Sequence, residues 1–155
     1  MELVSQKVSV QKADSSKIGQ VDFDNLAFGD IFTDHMLVCD YKNGAWQTPE
    51  IVPYQNLEIA PSARVFHYGQ AIFEGMKAYK DDNGGIWLFR PEENFKRFNV
   101  SSSRMAMPEV PEHVFFEGLK TLLKLESDWI NPGIGNSLYI RPFAIASHAG
   151  IIASP

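Results

Sequence analysis

Residues 65–91 read VFHYGQAIFEGMKAYKDDNGGIWLFRP, and this stretch sets the expected fold. Two apolar-rich runs, MKAYK and IWLFR, flank the polar segment DDNGG. Because Asn and Gly tolerate the positive φ angles of a tight hairpin turn, Asn83 and Gly84 predict two neighbouring antiparallel strands. Pro91 then ends the second strand and begins a helix, which places the guanidinium of Arg90 at a strand-to-helix junction. Such junctions are suited to binding anions.

The sequence on either side predicts a second hairpin, two helices and a returning strand. Upstream, DHMLVCDYKNGAWQTPEIVPY predicts strands over 35–41 and 45–52 around a turn at 42–44. Downstream, the spacing of apolar residues predicts helices over 91–105 and 111–130, and SLYIRPFAIA predicts a strand. The expected fold class is therefore α+β: a largely antiparallel sheet of hairpins with helices packed on one face, as a two-layer sandwich. Residues 1–25 are polar and predict an extended or poorly ordered lead-in.

Composition narrows the classes of function. The chain has 155 residues, of which 45% are apolar and 21% charged, and this is typical of a globular protein. Its net charge of -5 and its scattered lysines and arginines argue against nucleic-acid binding. No apolar run approaches the roughly 20 residues of a membrane span, and the single cysteine, Cys39, fits a reducing compartment. A cytoplasmic protein is expected.

Four segments together carry a resemblance to a known family: FGDIFTDHMLVCDY, HYGQAIFEGMKAYK, LFRPEENFKR and SLYIRPF. In this order they resemble the N-terminal, smaller domain of branched-chain amino acid aminotransferases, which are fold-type IV enzymes that use pyridoxal 5'-phosphate. The resemblance covers residues 26–155 and implies that a larger, lysine-bearing domain is absent from this chain. It also implies amino-group exchange between leucine, isoleucine or valine and 2-oxoglutarate, and a homodimer when the protein is full length.

Two other fold-type IV activities stay open as alternatives, those of D-amino acid aminotransferases and aminodeoxychorismate lyases. The sequences of these two families differ from this chain in the segments FTDHM and FEGMKAY. A non-catalytic isolated domain is the alternative from a different class. A downstream domain that carries the catalytic lysine would separate the enzyme from the non-catalytic module.

Tyr139 and Arg141 are two residues apart on the last predicted strand, so their side chains leave the same face about 6 to 7 Å apart. A phenol and a guanidinium at one spot could bind a carboxylate. The same spacing also suits an arginine paired with an acid at a sheet edge, and spacing alone favours this structural interpretation. The resemblance reverses that preference, because it associates the arginine with the side-chain carboxylate of glutamate or 2-oxoglutarate.

The remaining site residues follow from the resemblance. It assigns Arg90 to the cofactor phosphate. It assigns an apolar substrate wall to Phe28, Tyr68 and Phe73. Two residues of the tail, Ile151 and Ala153, resemble loop positions that help close the site of a neighbouring subunit. The tail sequence GIIASP differs from the family's usual motif.

The chain contains no evident catalytic residue. Pyridoxal phosphate enzymes need a lysine with a reactive amine, and the resemblance places that lysine beyond Pro155. By alternation Lys77 shares a face with Tyr79, which predicts a solvent-facing side chain. Glu74 is interpreted as a structural hydrogen-bonding carboxylate, and the four dispersed histidines give no support for a metal site. The 155-residue chain alone is expected to be inactive.

Overall fold

The computed structural model describes residues 8–151 and has an α+β fold, as predicted. Three α-helices occur in this range: α1 Arg64–Tyr68, α2 Pro91–Arg104 and α3 Glu112–Leu125. Short 3-10 turns lie at Ile18–Gln20 and Ser127–Trp129. The strands are β1 Ser9–Val10, β2 His35–Val38, β3 Tyr41–Lys42, β4 Ala45–Trp46, β5 Glu50–Pro53, β6 Ala71–Phe73, β7 Met76–Lys80, β8 Ile86–Leu88, β9 Leu138–Ile140 and β10 Phe143–Ile145.

The predicted upstream hairpin is confirmed, with an interruption. Strands β2 and β5 pair antiparallel, and β3 and β4 continue the same hairpin to a turn in which Asn43 and Gly44 have φ angles of 54° and 79°. Val38 pairs with Glu50 and Tyr41 with Trp46, so two residues on one strand face three on the other. An unequal count of this kind is the mark of a bulge, and it divides the hairpin into two short sheets.

The central hairpin of β7 and β8 is also confirmed, but its turn is wider than a two-residue turn. Gly84 has a positive φ of 84°, whereas Asn83 does not. The Asp81 carboxylate instead accepts hydrogen bonds from the backbone N–H groups of Asn83 and Gly85 at 2.9 and 2.8 Å, and from the Trp87 indole at 2.7 Å. A side-chain carboxylate therefore organises this loop, as aspartate commonly does in turns.

The strands do not form the single sheet that was predicted. Within residues 8–151 they form four small sheets, with the orders β1-β5-β2, β3-β4, β10-β6 and β8-β7-β9. The predicted strand SLYIRPFAIA is divided at Arg141 and Pro142, because its first half pairs with β7 and its second half with β6. All pairings are antiparallel except that of β1 with β5.

Helices α2 and α3 cover one side of these sheets, as predicted. Helix α2 packs against β6, and α3 packs against β2 and β5. Apolar side chains from both layers form the core, and its buried members include Ile72, Met76, Ala78, Phe98, Val114, Phe115, Leu119 and Leu123. On the opposite side of the β8-β7-β9 sheet, Lys77, Tyr79 and Trp87 are exposed.

From residue 8 onward, the N-terminal segment contacts the rest of the domain. Strand β1 pairs with β5, and the backbone N–H of Ala13 donates to Nε2 of His35 at 2.8 Å. Asp34 accepts hydrogen bonds from Ser16 and Lys17. These contacts join residues 9–17 to strands β2 and β5 and to the residue before β2.

Candidate active site on the open face of the sheet

Strand β7 separates a buried face from an open one. Met76 and Ala78 are buried in the core, whereas Lys77 and Tyr79 are exposed. Tyr139 of β9 lies directly opposite Lys77 in the antiparallel register, so the two side chains share the open face. Lys77 is therefore exposed as predicted, but the face that it shares also carries a predicted substrate residue.

Tyr139 and Arg141 are in direct contact. The Arg141 guanidinium donates from Nη2 and Nε to the Tyr139 hydroxyl at 2.9 and 3.3 Å, and it stacks 4.6 Å from the centre of the Phe73 ring. The Phe28 ring meets Tyr139 edge to face, with centroids 5.0 Å apart. No acidic partner of Arg141 occurs among residues 8–151. The guanidinium thus keeps donors available for a carboxylate, beside two aromatic surfaces.

Gly75 leaves the space that the Tyr139 ring occupies. A Cβ atom built on Gly75 would overlap the Tyr139 hydroxyl and would lie 3.1 Å from Cζ of the same ring. Any larger residue would therefore push Tyr139 away from its position against Arg141. The FEG segment, residues 73–75, supports the predicted site, because Phe73 contacts Arg141 and Gly75 lies against Tyr139.

Glu74, between these residues, is buried and strongly hydrogen-bonded, as expected for a structural carboxylate. Its oxygens accept from Nε and Nη2 of Arg97 at 2.6 and 2.8 Å, and from Nδ2 of Asn94 at 2.9 Å. The hydrogen bond from Arg97 holds the pKa of Glu74 below its usual value and outweighs burial, which acts in the opposite direction. Sequence patterns did not identify these two partners on α2, which lie 20 and 23 residues away.

Arg90 is the residue before α2, as the Pro91 signal predicted, although β8 already ends at Leu88. It adopts a left-handed backbone conformation with φ 48° and ψ 50°, which is uncommon for a residue other than glycine. Its exposed side chain forms no ion pair with any residue in the range 8–151. A shallow groove of about 210 Å³ reaches from this junction to the FEG segment, and it is lined by Gly75, Met76, Lys77, Tyr79, Phe89 and Asn94.

Tyr68 and Ile151 form a separate contact. The Tyr68 hydroxyl donates to the backbone carbonyl of Ile151, and both side chains are exposed. The structure therefore brings Phe28, Phe73, Tyr139 and Arg141 together and places Tyr68 with the tail instead. Ala153 lies outside the described residues.

Among residues 8–151, neither a reactive cysteine nor a metal-binding cluster gives a second candidate site. Burial raises the pKa of Cys39 to about 11, which disfavours a nucleophilic thiolate. No cluster of three or more potential metal-binding His, Cys, Asp or Glu side chains occurs in residues 8–151. In the same range, none of the helices has the length and apolar character needed to cross a membrane.

Known proteins similar to this chain are aminotransferases. No family model matches the chain. It is 52% identical over 145 residues to a probable branched-chain-amino-acid aminotransferase of Staphylococcus epidermidis, and the match covers 93% of this chain and 40% of that protein. It is 51% identical over 128 residues to branched-chain-amino-acid transaminase 1 of Bacillus subtilis, which covers 82% of this chain and 36% of that protein. The chain thus spans about 40% of the length of its curated relatives.

Solved structures agree on the fold. The branched-chain amino acid aminotransferase of Escherichia coli superposes with a TM-score of 0.54 at 23% identity, over 73% of this chain and 33% of that one. The T.th. enzyme of the same name, in complex with N-(5'-phosphopyridoxyl)-L-glutamate, superposes with a TM-score of 0.51 at 30% identity, over 65% of this chain and 32% of that one. In fold and sequence, this chain is therefore similar to part of an aminotransferase.

More particularly, the chain is homologous to the branched-chain amino acid aminotransferases. This relationship confirms the family predicted from the four motifs.

Proposed function

We propose that this chain is the substrate- and phosphate-contacting N-terminal domain of a branched-chain amino acid transaminase. The reaction would exchange an amino group between leucine, isoleucine or valine and 2-oxoglutarate. One observation supports this function more than any other: the Arg141 guanidinium is held by Tyr139 and stacked on Phe73, with no acidic partner in residues 8–151. A charged dicarboxylate and a branched apolar side chain must use the same site in turn, and this arrangement offers a cation beside aromatic surfaces.

The junction at Arg90 fits the phosphate of pyridoxal 5'-phosphate. Arg90 precedes a 14-residue helix whose N-terminal end favours anions, and its side chain is exposed and has no ion-pair partner within the described part of the chain. Two acidic residues, Glu92 and Glu93, lie in the same first turn, and Glu93 pairs with Lys96 at 2.9 Å. When bound, the cofactor supplies the electron sink of transamination, and the protein supplies orientation and charge.

Within the proposed site, residues of this chain would orient the substrate. Arg141 and the Tyr139 hydroxyl would hold the side-chain carboxylate of the dicarboxylic substrate, and Phe28 and Phe73 would contact the aliphatic side chain of the other. Arg90 would hold the phosphate end of the cofactor. The amine that reacts would come from a lysine outside this chain, since the resemblance places that lysine beyond Pro155.

A homodimer in the cytoplasm is part of the proposal. Phe28, Tyr68, Phe73 and Ile151 expose between 53% and 76% of their surface, and apolar side chains on this scale suit burial by another domain or a second subunit. The contact of Tyr68 with the tail brings these two predicted site elements together at one edge. Sizing of the complete protein at micromolar concentration would measure the assembly.

The proposal is tested with the complete protein that carries this segment, loaded with pyridoxal 5'-phosphate. We expect turnover of leucine, isoleucine and valine with 2-oxoglutarate. Turnover of D-alanine alone would favour a D-amino acid aminotransferase, and release of product from aminodeoxychorismate alone would favour the lyase. Absence of all three activities in a folded, cofactor-loaded protein would favour the non-catalytic module.

A further inference from the structure

Glu74 is connected to two parts of the molecule at once. Its carboxylate accepts three hydrogen bonds from Arg97 and Asn94 of α2, at distances of 2.6 to 2.9 Å. Its backbone N–H donates to the carbonyl of Pro142 at 2.8 Å. Pro142 directly follows Arg141, so one residue joins helix α2 to the short link that carries the guanidinium.

Stability alone is a weak reason for a carboxylate at this position. Glu74 is only 4% exposed, whereas the side chain of its partner Arg97 is 69% exposed. Removing a carboxylate from water is costly, and apolar side chains of similar size often replace such groups without loss of stability. What an ionised carboxylate adds is direction, because the paired bonds from Nε and Nη2 of Arg97 fix its plane.

The two connections of Glu74 lead to the two predicted anion-binding arginines. Helix α2 begins directly after Arg90, and Asn94 lies one turn into it. On the other side, Arg141 stacks on Phe73, the residue that precedes Glu74. Besides its bond to Glu74, Nδ2 of Asn94 donates to the carbonyl of Gly75 at 3.3 Å, and Gly75 lies directly against the Tyr139 ring.

We propose that Glu74 is a positioning residue for the dicarboxylic substrate. Through Arg97 and Pro142 it sets the direction of the Arg141 guanidinium relative to Arg90, and so relative to the cofactor phosphate. Glu74 touches neither substrate nor cofactor in this role. The inference rests on the proposed function, because the ligand of Arg141 is taken to be the side-chain carboxylate of glutamate or 2-oxoglutarate.

The experiment compares two unreactive ligands of the complete, cofactor-loaded protein by calorimetry. Glutarate carries a second carboxylate, and 4-methylvalerate carries an aliphatic group in its place. We expect Glu74→Gln and Arg97→Gln each to weaken glutarate binding about tenfold, since small displacements of a binding group have effects of this size or larger. Binding of 4-methylvalerate should change less than about twofold, because it does not use the direction of Arg141.

Lys42→Gln is the control. Lys42 lies on the β3–β4 hairpin, is 66% exposed and forms an ion pair with Asp40 at 2.6 Å, so the variant removes an exposed, paired cation outside the proposed site. This variant should leave the ratio of the two affinities unchanged. The double variant Glu74→Gln/Arg97→Gln should be no worse than either single variant, because all three remove the same ion pair.

Equal weakening of both ligands, or no weakening in folded variants, would overturn the positioning role. If Glu74→Gln does not fold, the exposed Arg97→Gln decides the question by itself. The outcome is separable from that of the proposed function: failure of the unsubstituted protein to transaminate refutes the function, whereas an unchanged affinity ratio in an active enzyme refutes only the role of Glu74.

Discussion

Two polar clusters in this molecule differ in their exposure to solvent. The first, the buried network, consists of Asp34, His35, Glu126 and Trp129, each of which is at most 8% exposed. The second is the Tyr139–Arg141 pair on the open face of the sheet. The buried network contains more titratable groups, yet it is the open pair that offers donors to a ligand.

In the buried network, the polar atoms satisfy one another. Glu126 accepts from Nδ1 of His35 and from the backbone N–H of Asp34, and Trp129 donates to Asp34 at 3.1 Å. Because the backbone N–H of Ala13 donates to Nε2 of His35, that nitrogen carries no proton and the proton of the neutral ring lies on Nδ1. The side chains of this network therefore have a structural role. Their hydrogen bonds connect β2, the residues after α3 and the N-terminal segment.

The open pair differs in that its cation is unmatched. Arg141 contacts a phenol and aromatic rings, and none of these neutralises its charge. A concentration of titratable residues therefore does not identify a site by itself. An unpaired charge with unused hydrogen-bond donors indicates a binding site better, because a buried and fully paired group has no donor or acceptor available for a ligand.

The strongest test of this contrast is Glu126→Gln. A glutamine has only one acceptor oxygen for two donors, the backbone N–H of Asp34 and Nδ1 of His35, so one buried donor loses its partner. We expect the free energy of unfolding to fall by about 3 kcal/mol, as measured by urea denaturation of the complete protein. The ratio of Michaelis constants for leucine and 2-oxoglutarate should stay constant, and a changed ratio would connect the network to the site.

Arg141→Gln should give the converse result. We expect the Michaelis constants for glutamate and 2-oxoglutarate to rise by roughly tenfold to a hundredfold, the equivalent of about 1.5 to 3 kcal/mol for a charge-assisted hydrogen bond. The constant for leucine should change far less, and stability should hardly change because the side chain is exposed. Equal effects on both classes of substrate, measured by steady-state kinetics, would mean that Arg141 is structural or binds the α-carboxylate.

Arg90→Ala should weaken cofactor retention by about 2 kcal/mol, because one charged donor to the phosphate is lost. Equilibrium dialysis of the complete protein against pyridoxal 5'-phosphate would measure this effect. Lys42→Gln serves as a control, since it removes an exposed cation paired with Asp40 on the β3–β4 hairpin. Unchanged cofactor affinity in Arg90→Ala would remove this residue from the proposed site.

Lowering the pH should reduce the free energy of unfolding, partly through protonation of Glu74. Its folded pKa lies below the ordinary value of 4.5, chiefly because of the hydrogen bond from Arg97. Such a carboxylate contributes stability above the unfolded pKa, and this contribution is lost as the pH falls through the folded pKa. Urea midpoints measured from pH 6 to pH 3 should therefore fall more in the unsubstituted protein than in Glu74→Gln, and parallel curves would refute the assignment.

The smallest effect is expected at Ser102. Its side chain is fully buried in α2, and its hydroxyl has no hydrogen-bond partner among the described residues. Ser102→Ala should raise the free energy of unfolding by about 1 kcal/mol, because it removes an unsatisfied polar atom and favours the helix. The adjacent Ser103 donates to Glu109 at 2.6 Å, so Ser103→Ala should show no such gain. Loss of stability in Ser102→Ala would indicate that the hydroxyl does have a partner.

Elements with a local cause were predictable from the sequence. Asn43 and Gly44 adopt the positive φ angles that their turn requires, and Pro91 begins α2 with Arg90 before it. The alternation along β7 predicted that Lys77 would be exposed, and Met76 and Ala78 on the opposite face are buried. In each case the determining interactions lie within a few residues along the chain, so the residue types themselves carry the information.

The divided sheets and the tied N-terminal segment were not predictable in this way. SLYIRPFAIA is typical of one strand because each half is suited to a strand, and only its pairing with β7 and β6 reveals the break at Arg141 and Pro142. Residues 1–25 are polar, which is typical of an extended or poorly ordered lead-in. His35 and Asp34 nevertheless accept hydrogen bonds from residues of this segment across 17 to 22 residues. Polarity alone does not show whether a group meets water or a partner.

For the candidate site, residue order alone predicted that Tyr139 and Arg141 lie close together, although Arg141 follows β9 and is not part of it. It also predicted that Arg90 lies at the start of a helix, because the geometry of proline is a local rule. Which of these charges are matched became visible only in the folded chain. Arg97 meets Glu74 across 23 residues, His35 meets Glu126 across 91, and Arg141 meets no acid within residues 8–151. The physical reason is that ion pairing depends on which surfaces pack together. Packing brings together residues that are far apart along the chain, and no periodic pattern in the sequence shows which ones.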